Sequence, residues 1–209
     1  MELSHLPLPI EFYHRPTLDL AKLLLGCLLV NETAEGVAAG YIVETEAYMG
    51  AGDRAAHSFG NRRTRRTEVM FAEPGRVYTF TMHRHTLINV VSGAADVPEA
   101  ILIRALDPVE GLDLIDERRA GRKRSEWMNG PGKLTEALGI TMKDYGRKFT
   151  ERPLYIASGY MPEKISCGPR IGIENTGEAR FRPWRFWVTG NTNVSKGKKL
   201  LHIEENRFS

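Results

Sequence analysis

After Thr17 the apolar residues Leu18, Ala21, Leu24 and Leu25 recur at helical spacing, and Gly26 closes the pattern, which predicts a short helix. From Val37 to Tyr48 the run VAAGYIVETEAY alternates instead with a period of two. That predicts a strand with Val37, Ala39, Tyr41, Val43 and Ala47 on one face and Ile42, Glu44, Glu46 and Tyr48 on the other. Residues 53–69 are polar, Arg-rich and weakly periodic, so they read as a long surface loop with a short helix near its end. Arg76 to Met82 and Thr86 to Ser92 are β-rich and flank His83, Arg84 and His85, the pattern of a hairpin with a basic tip. AILIRAL, residues 100–106, reads as a buried strand whose Arg104 needs a partner. Asp107 and Pro108 are expected to start a helix running through Leu112 and Ile115, and Pro131 a second one under KLTEALGI. ISCGPRIGIE and PWRFWVTG complete the strands. Strands and helices interleave, but hairpins and alternating strands favour an α+β fold with a largely antiparallel or mixed sheet. With no internal repeat, low-complexity tract or Pro/Ser linker, residues 1–209 are expected to form a single domain.

Composition adds that the chain is of ordinary globular type, 42% hydrophobic and 26% charged. The longest apolar run, Leu23 to Val30, is interrupted by Gly26 and falls short of the roughly 20 residues of a membrane helix. The opening MELSHLPLPIEFYHRP lacks a basic region followed by an apolar one, so an intracellular protein without a signal peptide is expected. Cys27 and Cys167 are too few for a disulfide framework or a cysteine zinc site and are expected to be buried, reduced thiols. The net charge of +3 hides an asymmetry. Residues 1–53 carry two Lys/Arg against eight Asp/Glu, and the remainder carries 27 against 18. Basic clusters lie at Arg62, Arg63, Arg65 and Arg66, at Arg118, Arg119, Arg122, Lys123 and Arg124, and at Lys196, Lys198 and Lys199. Gathered on one face they would attract a polyanion; taken singly they are solvated loops. The dominance of arginine in the first cluster suits forked contacts to phosphate.

Candidate chemistry centres on ETEAY. Glu44 and Glu46 share a face with Tyr48, and His57 lies in the following loop; a carboxylate beside an aromatic can act as a base or as an electrostatic stabiliser. The alternative is that these glutamates are a strand's solvated face. His83 and His85 could present two imidazoles to a metal, completed by Glu44, Glu46 or His57, although no HExxH motif is present and histidines of a nucleic-acid-facing loop have the same spacing. GPGKL lacks the spacer and the Ser/Thr of a phosphate loop, leaving Lys133 beside a helix start as an anion contact or a plain cap. The residues alone therefore leave three classes open: an enzyme acting on nucleic acid, a non-catalytic nucleic-acid-binding module, and a metal-dependent hydrolase.

A resemblance narrows these. YIVETEAYMGAGDRAAHS, MFAEPGRVYTF, LINVV, ILIRALDPVEG, NGPGKL and PRIGIENTGEARFRPWRFWVTGN, in this order, resemble the alkyladenine (3-methyladenine, or methylpurine) DNA glycosylase family over nearly the whole chain. The resemblance implies an α+β domain with a curved antiparallel sheet, packed helices and a protruding hairpin that inserts into DNA. It implies extrusion of a damaged purine from double-stranded DNA and hydrolysis of its glycosidic bond by a monomer, with no cofactor, metal or lysine nucleophile, as the first step of base excision repair. Glu46 matches the general base that activates water, and Arg104 a residue that holds that water or the adjoining phosphate. Tyr48 and His57 match the lining of the base pocket, where a π-face suits a cationic alkylated purine. Asn89 matches a residue that rejects the guanine amino group, Lys133 a phosphate contact, and the carbonyl near Ile171 a water ligand. The departures fall at the hairpin, where Phe80 replaces a second pocket tyrosine and the tip reads MHRH. There Met82 or His83 would be the wedge, with Arg84 beside it on the DNA.

Overall fold

The ETEAY strand organises the sheet. In the computed structural model, which describes residues 5–195 and the backbone of 203–205, this strand is β2 (Gly36–Tyr48). It follows α1 (Thr17–Leu23) and β1 (Leu28–Thr33), and precedes the hairpin of β3 (Val77–Met82) and β4 (His85–Val91) and the long β5 (Ala100–Glu110). Two helices, α2 (Leu112–Arg118) and α3 (Pro131–Leu138), lead to β6 (Leu154–Ala157), β7 (Ile165–Gly168), β8 (Arg185–Val188) and β9 (Ile203–Glu205). Every pairing is antiparallel, in the order β3-β4-β5-β2-β8-β7-β9, with β1 joining β2 to β6. One edge of β2 is held by β5, whereas the other is shared between β1 at Gly36–Tyr41 and β8 at Glu44–Glu46. The sheet therefore divides at the middle of β2.

Two register shifts mark this point. Ile42 pairs with Leu106, Glu44 with Ala105 and Thr45 with Ile103, which leaves Val43 on β2 and Arg104 on β5 out of the ladder. Each extra residue reverses the facing of those beyond it, as a β-bulge does. Ile42 consequently packs in the main core with Ala47, and not on the face of Glu44, Glu46 and Tyr48 as simple alternation predicts. Thr45 also points to the helical side, donating to the Ala21 carbonyl at 2.9 Å.

The helices cover that side. All three are shorter than the roughly 12–15 residues an isolated helix needs in water, so they persist by burying Leu20, Ala21, Ile115, Leu134, Ala137 and Leu138 against the sheet. Pro131 at the first position and Gly139 in the left-handed region, with φ of 69°, bound α3. The opposite face carries a second cluster around Tyr78, Phe80, Leu87, Val91 and Leu102, against which Tyr48 packs.

The expected α+β fold and curled antiparallel sheet are both present. Asp107 and Pro108 continue β5 instead of starting a helix, because Tyr41 and Gly40 pair with them. The helix waits for Gly111, which turns with φ of 68°. The late strands are shorter than ISCGPRIGIE and PWRFWVTG, so that Arg170 and Ile171 lie in a loop beyond β7. β1, apolar only over Leu28–Val30, and β6, a four-residue apolar run without alternation, were not anticipated. Cys27 and Cys167 are buried and form no disulfide. No helix among the described residues is long and apolar enough to cross a membrane.

Candidate active site

The bulges turn both glutamates of ETEAY, and Arg104 of β5, towards one another beneath the second face. Glu44 and Glu46 are fully buried. Glu46 accepts from the Ile171 N–H at 2.7 Å and from the Tyr48 hydroxyl at 2.9 Å, and Arg104 Nη1 lies 3.3 Å from its carboxylate. Glu44 accepts from Arg104 Nε at 3.2 Å and from the Ser195 N–H and hydroxyl at 2.7 and 2.8 Å, with Arg185 Nε at 3.6 Å. Burial alone would lower the Arg104 pKa, but the carboxylates of Glu46 and Glu44 outweigh it and raise the value, so the guanidinium is held in its charged form. Burial first, and then the charge of Glu46 and its hydrogen bond, push Tyr48 well above the usual phenol range; it stays a neutral donor to the carboxylate.

Tyr48 is seated from one side by Arg170, whose Cζ lies 4.7 Å from the ring centroid and 5.0 Å from that of Trp184. Arg170 is anchored by a two-point pair with Asp53, at 2.5 and 2.8 Å, and by the Ala47 carbonyl at 2.9 Å. Since Ile171 follows it in the chain, the same anchor fixes the N–H on Glu46. On β3, separated from β2 by β4 and β5, Tyr78 and Phe80, two residues apart, share a face. His57 stands edge-on to Phe80 at 4.6 Å and binds the Tyr78 hydroxyl through Nδ1 at 2.8 Å and Arg66 Nη2 through Nε2 at 2.9 Å. Burial, and then Arg66, lower its pKa to about 4, which leaves it neutral near pH 7. Asn89, paired with Tyr78 across the hairpin, donates to the Tyr78 carbonyl at 3.0 Å.

On the far side of Arg104 a cleft of about 440 Å³ is lined by Arg104, Ser125, Asn129, Lys133, Thr192 and Ser195. Lys133 reaches Asn129 Oδ1 at 2.7 Å. The hairpin tip turns through His83 and Arg84, both with positive φ (47° and 72°), and Met82 is 43% exposed. His85 packs on Gly132, where an added Cβ would lie 2.7 Å from the His85 Cβ. Among the described residues no three of His, Cys, Asp and Glu converge as a metal site.

Glu44, Glu46, Arg104, Tyr48 and Ile171 thus form one cluster, His57 and Phe80 an adjoining one, and Lys133 the flanking cleft; Met82, His83 and Arg84 lie apart at the tip. Ile171 meets Glu46 through its N–H and not its carbonyl. Sequence reasoning missed Tyr78, Asp53, Arg170 and Ser195. A buried Asp/Arg pair 117 residues apart leaves no local signal. Tyr78, however, stands two residues before Phe80 in the predicted strand, and that spacing could have placed it. Two basic clusters are partly neutralised: Arg63 binds Glu68 and Asp96, Arg118 binds Glu35, and Arg119 binds Glu136. Lys196, Lys198 and Lys199 lie outside the described residues.

The arrangement of a buried, hydrogen-bonded carboxylate beside an aromatic pocket coincides with a family match. The model of the Methylpurine-DNA glycosylase (MPG) family matches residues 11–192. The chain belongs to that family. A relative from Bacillus subtilis (strain 168), provisionally named 3-methyladenine DNA glycosylase, is 71% identical over 190 residues, covering 91% of this chain and 97% of its own. Relatives with the same name from Bacillus licheniformis and Listeria monocytogenes serotype 4a are 68% identical over 196 residues and 46% over 189; the alignments cover 94% and 90% of this chain and 100% and 91% of theirs. Membership in the methylpurine-DNA glycosylase family makes the chain a DNA repair enzyme of the glycosylase type, a hydrolase of N-glycosyl bonds with DNA as its substrate.

Proposed function

We propose that this methylpurine-DNA glycosylase works as a single unit over residues 1–209, a cofactor-free intracellular monomer that extrudes an alkylated or deaminated purine nucleotide from duplex DNA and hydrolyses its glycosidic bond with water activated by Glu46. The observation that carries this reading is the Glu46 carboxylate, fully buried yet held by the Ile171 N–H and the Tyr48 hydroxyl. As the bond between C1′ and the base nitrogen breaks, its electron pair leaves with the base and positive charge develops on the sugar. The carboxylate stabilises that charge, takes a proton from water, and the water oxygen bonds to C1′. A purine alkylated to a cation departs neutral, whereas a neutral deaminated one leaves with the electron pair and takes up a proton from solvent. Arg104 holds Glu46 in register, and the flanking cleft with Lys133 suits the nucleotide's phosphate. No lysine acts as nucleophile, so no lyase step follows.

Support for insertion comes from the hairpin tip. A two-residue turn with φ positive at both positions normally takes Asn-Gly, and holding His83 and Arg84 there costs about 1–2 kcal/mol each. Such strain at an exposed tip is characteristic of functional segments. Met82 continues the strand face of Tyr78 and Phe80, which favours it over His83 as the wedge, while Arg84 reaches a phosphate.

The test uses duplexes containing hypoxanthine, ethenoadenine or 7-methylguanine, with and without EDTA, on wild type and Glu46→Gln. Free base and abasic sites are expected from wild type alone, unchanged by EDTA, with no adduct trapped by borohydride. DNA binding without base release would overturn the reading in favour of a non-catalytic module. Loss of release with EDTA, restored by metal, would instead favour a metal-dependent hydrolase. Met82→Ala is expected to slow excision from duplex DNA more than His83→Ala.

A further inference from the structure

His57 has two ring nitrogens, and only one of them is available to read a base. Nδ1 is committed to the Tyr78 hydroxyl. At Nε2 the partner is the Arg66 guanidinium, which can only donate, so Nε2 accepts and the ring proton resides on Nδ1. The same guanidinium lies over Phe80, with Cζ 4.8 Å from the ring centroid. Arg66 therefore makes, at once, the two contacts that a flat cation bound in this pocket would make, one to an aromatic face and one to the histidine edge. Its backbone is tethered: the Tyr145 hydroxyl bonds the carbonyls of Arg65 and Arg66 and the N–H of Val69. The side chain itself is long and exposed, so it can swing away without moving the chain.

We propose that Arg66 is a specificity-determining gate of the base pocket, its guanidinium occupying the place of the purine in the free enzyme and competing for it with the incoming base. The inference rests on the reading of Tyr48, His57 and Phe80 as the base pocket. A permanently cationic base must take the Phe80 face from another cation that stays within Coulombic range of it. A neutral purine displaces the same side chain without that repulsion. Arg66 thus biases the enzyme against cationic alkylpurines relative to neutral deaminated ones.

The experiment compares wild type, Arg66→Met and Arg66→Lys on duplexes containing 7-methylguanine, cationic, and hypoxanthine, neutral. The ratio of kcat/KM for 7-methylguanine to that for hypoxanthine is expected to rise about five-fold in Arg66→Met, the size of one exposed cation–π contact, and to rise less in Arg66→Lys, which keeps the charge without the plane. An unchanged ratio, with both substrates slowed equally and a shallower salt dependence, would make Arg66 a phosphate contact and overturn the gate. A second reading is independent of activity. The Tyr78 hydroxyl and the Arg66 guanidinium are what face the two His57 nitrogens, so by NMR titration the His57 pKa should move up from about 4 in Arg66→Met. A stationary value would show that Arg66 is not seated on the ring. If wild type releases no base from either duplex, the functional reading fails first, and the titration still decides whether Arg66 occupies the pocket.

Discussion

Asp53→Ala strikes at the point where stability and catalysis share a support. Asp53 and Arg170 are both fully buried, and the substitution removes a two-point ion pair and the acceptor for the Met49 and Ala55 N–H groups. The guanidinium stays behind with the Ala47 and Ala179 carbonyls and the rings of Tyr48 and Trp184. An uncompensated buried charge costs about 3–5 kcal/mol. For 209 residues, an unfolding entropy of about 2.1 cal/mol/K per residue converts a loss of about 4 kcal/mol into a fall in Tm of about 9 °C. Urea titration at 25 °C should give the free energy and calorimetry the Tm. Replacing both partners, Asp53→Leu with Arg170→Met, should recover most of the loss, because desolvation of two charges is then removed together. Activity adds a second readout. Arg170 fixes the loop that brings the Ile171 N–H to Glu46, and a misplacement of about 1 Å can cost up to about 100-fold, so excision by folded Asp53→Ala should fall at least about ten-fold. A loss of less than about 1 kcal/mol, the range of an exposed pair, would refute the reasoning.

Other predictions follow from the same geometry. Glu44→Gln should depress kcat with little change in KM, because Arg104, released from Glu44, would settle on Glu46 and neutralise it; single-turnover rates decide, and an unchanged kcat would count against it. Lys133→Ala should weaken binding to duplexes of any sequence and reduce the slope of log affinity against log salt by about 0.9, one phosphate's worth. His57, held at about 4 against 6.5 in the unfolded chain, gives a stabilising contribution that is complete above pH 6.5 and lost as the pH falls towards 4, where the unfolded state takes up the proton first. The Tm difference between wild type and His57→Gln should therefore shift against wild type between pH 7.5 and pH 4.5, and a pH-independent difference would contradict it. Gly26→Ala should destabilise by more than about 2 kcal/mol in a urea melt, since Gly26 has φ of +84° and an added Cβ would lie 2.1 Å from the Tyr160 carbonyl.

What the sequence made legible follows the reach of its periodicities. The β3–β4 hairpin and the strands carrying ETEAY and Arg104 were readable because each stretch alternates or is bounded by turn residues. The buried arginine even announced its need for a partner, and Glu44 and Glu46 meet it. The misreadings arise where long-range pairing overrides a local signal. Asp107-Pro108 is a good helix start in isolation, but strand pairing to Tyr41 and Gly40 outweighs it. Period two placed Ile42 beside Glu44, and nothing local in VETEAY marks Val43 as the residue that drops out of the ladder. Likewise Ser195 lies 151 residues from Glu44, and only the closed fold joins them.

Glu44 and Glu46 of ETEAY meet one guanidinium with different surroundings. Both carboxylates are fully buried, which is costly unless each is compensated, and the compensation is unequal. Glu44 faces two guanidiniums, Arg104 and Arg185, and accepts two further hydrogen bonds from Ser195. Glu46 shares Arg104, lies within Coulombic range of Arg185, and accepts from the neutral donors Ile171 and Tyr48. At an effective dielectric of about 20, a unit pair 4 Å apart is worth about 4 kcal/mol, so which guanidinium each carboxylate holds matters to both. Glu44, bound by Arg104 Nε and by Ser195, therefore divides Arg104 with Glu46, which has no guanidinium to itself. On the proposed mechanism the cationic sugar needs a carboxylate that no guanidinium matches alone, and the sharing of Arg104 between Glu44 and Glu46 supplies that arrangement.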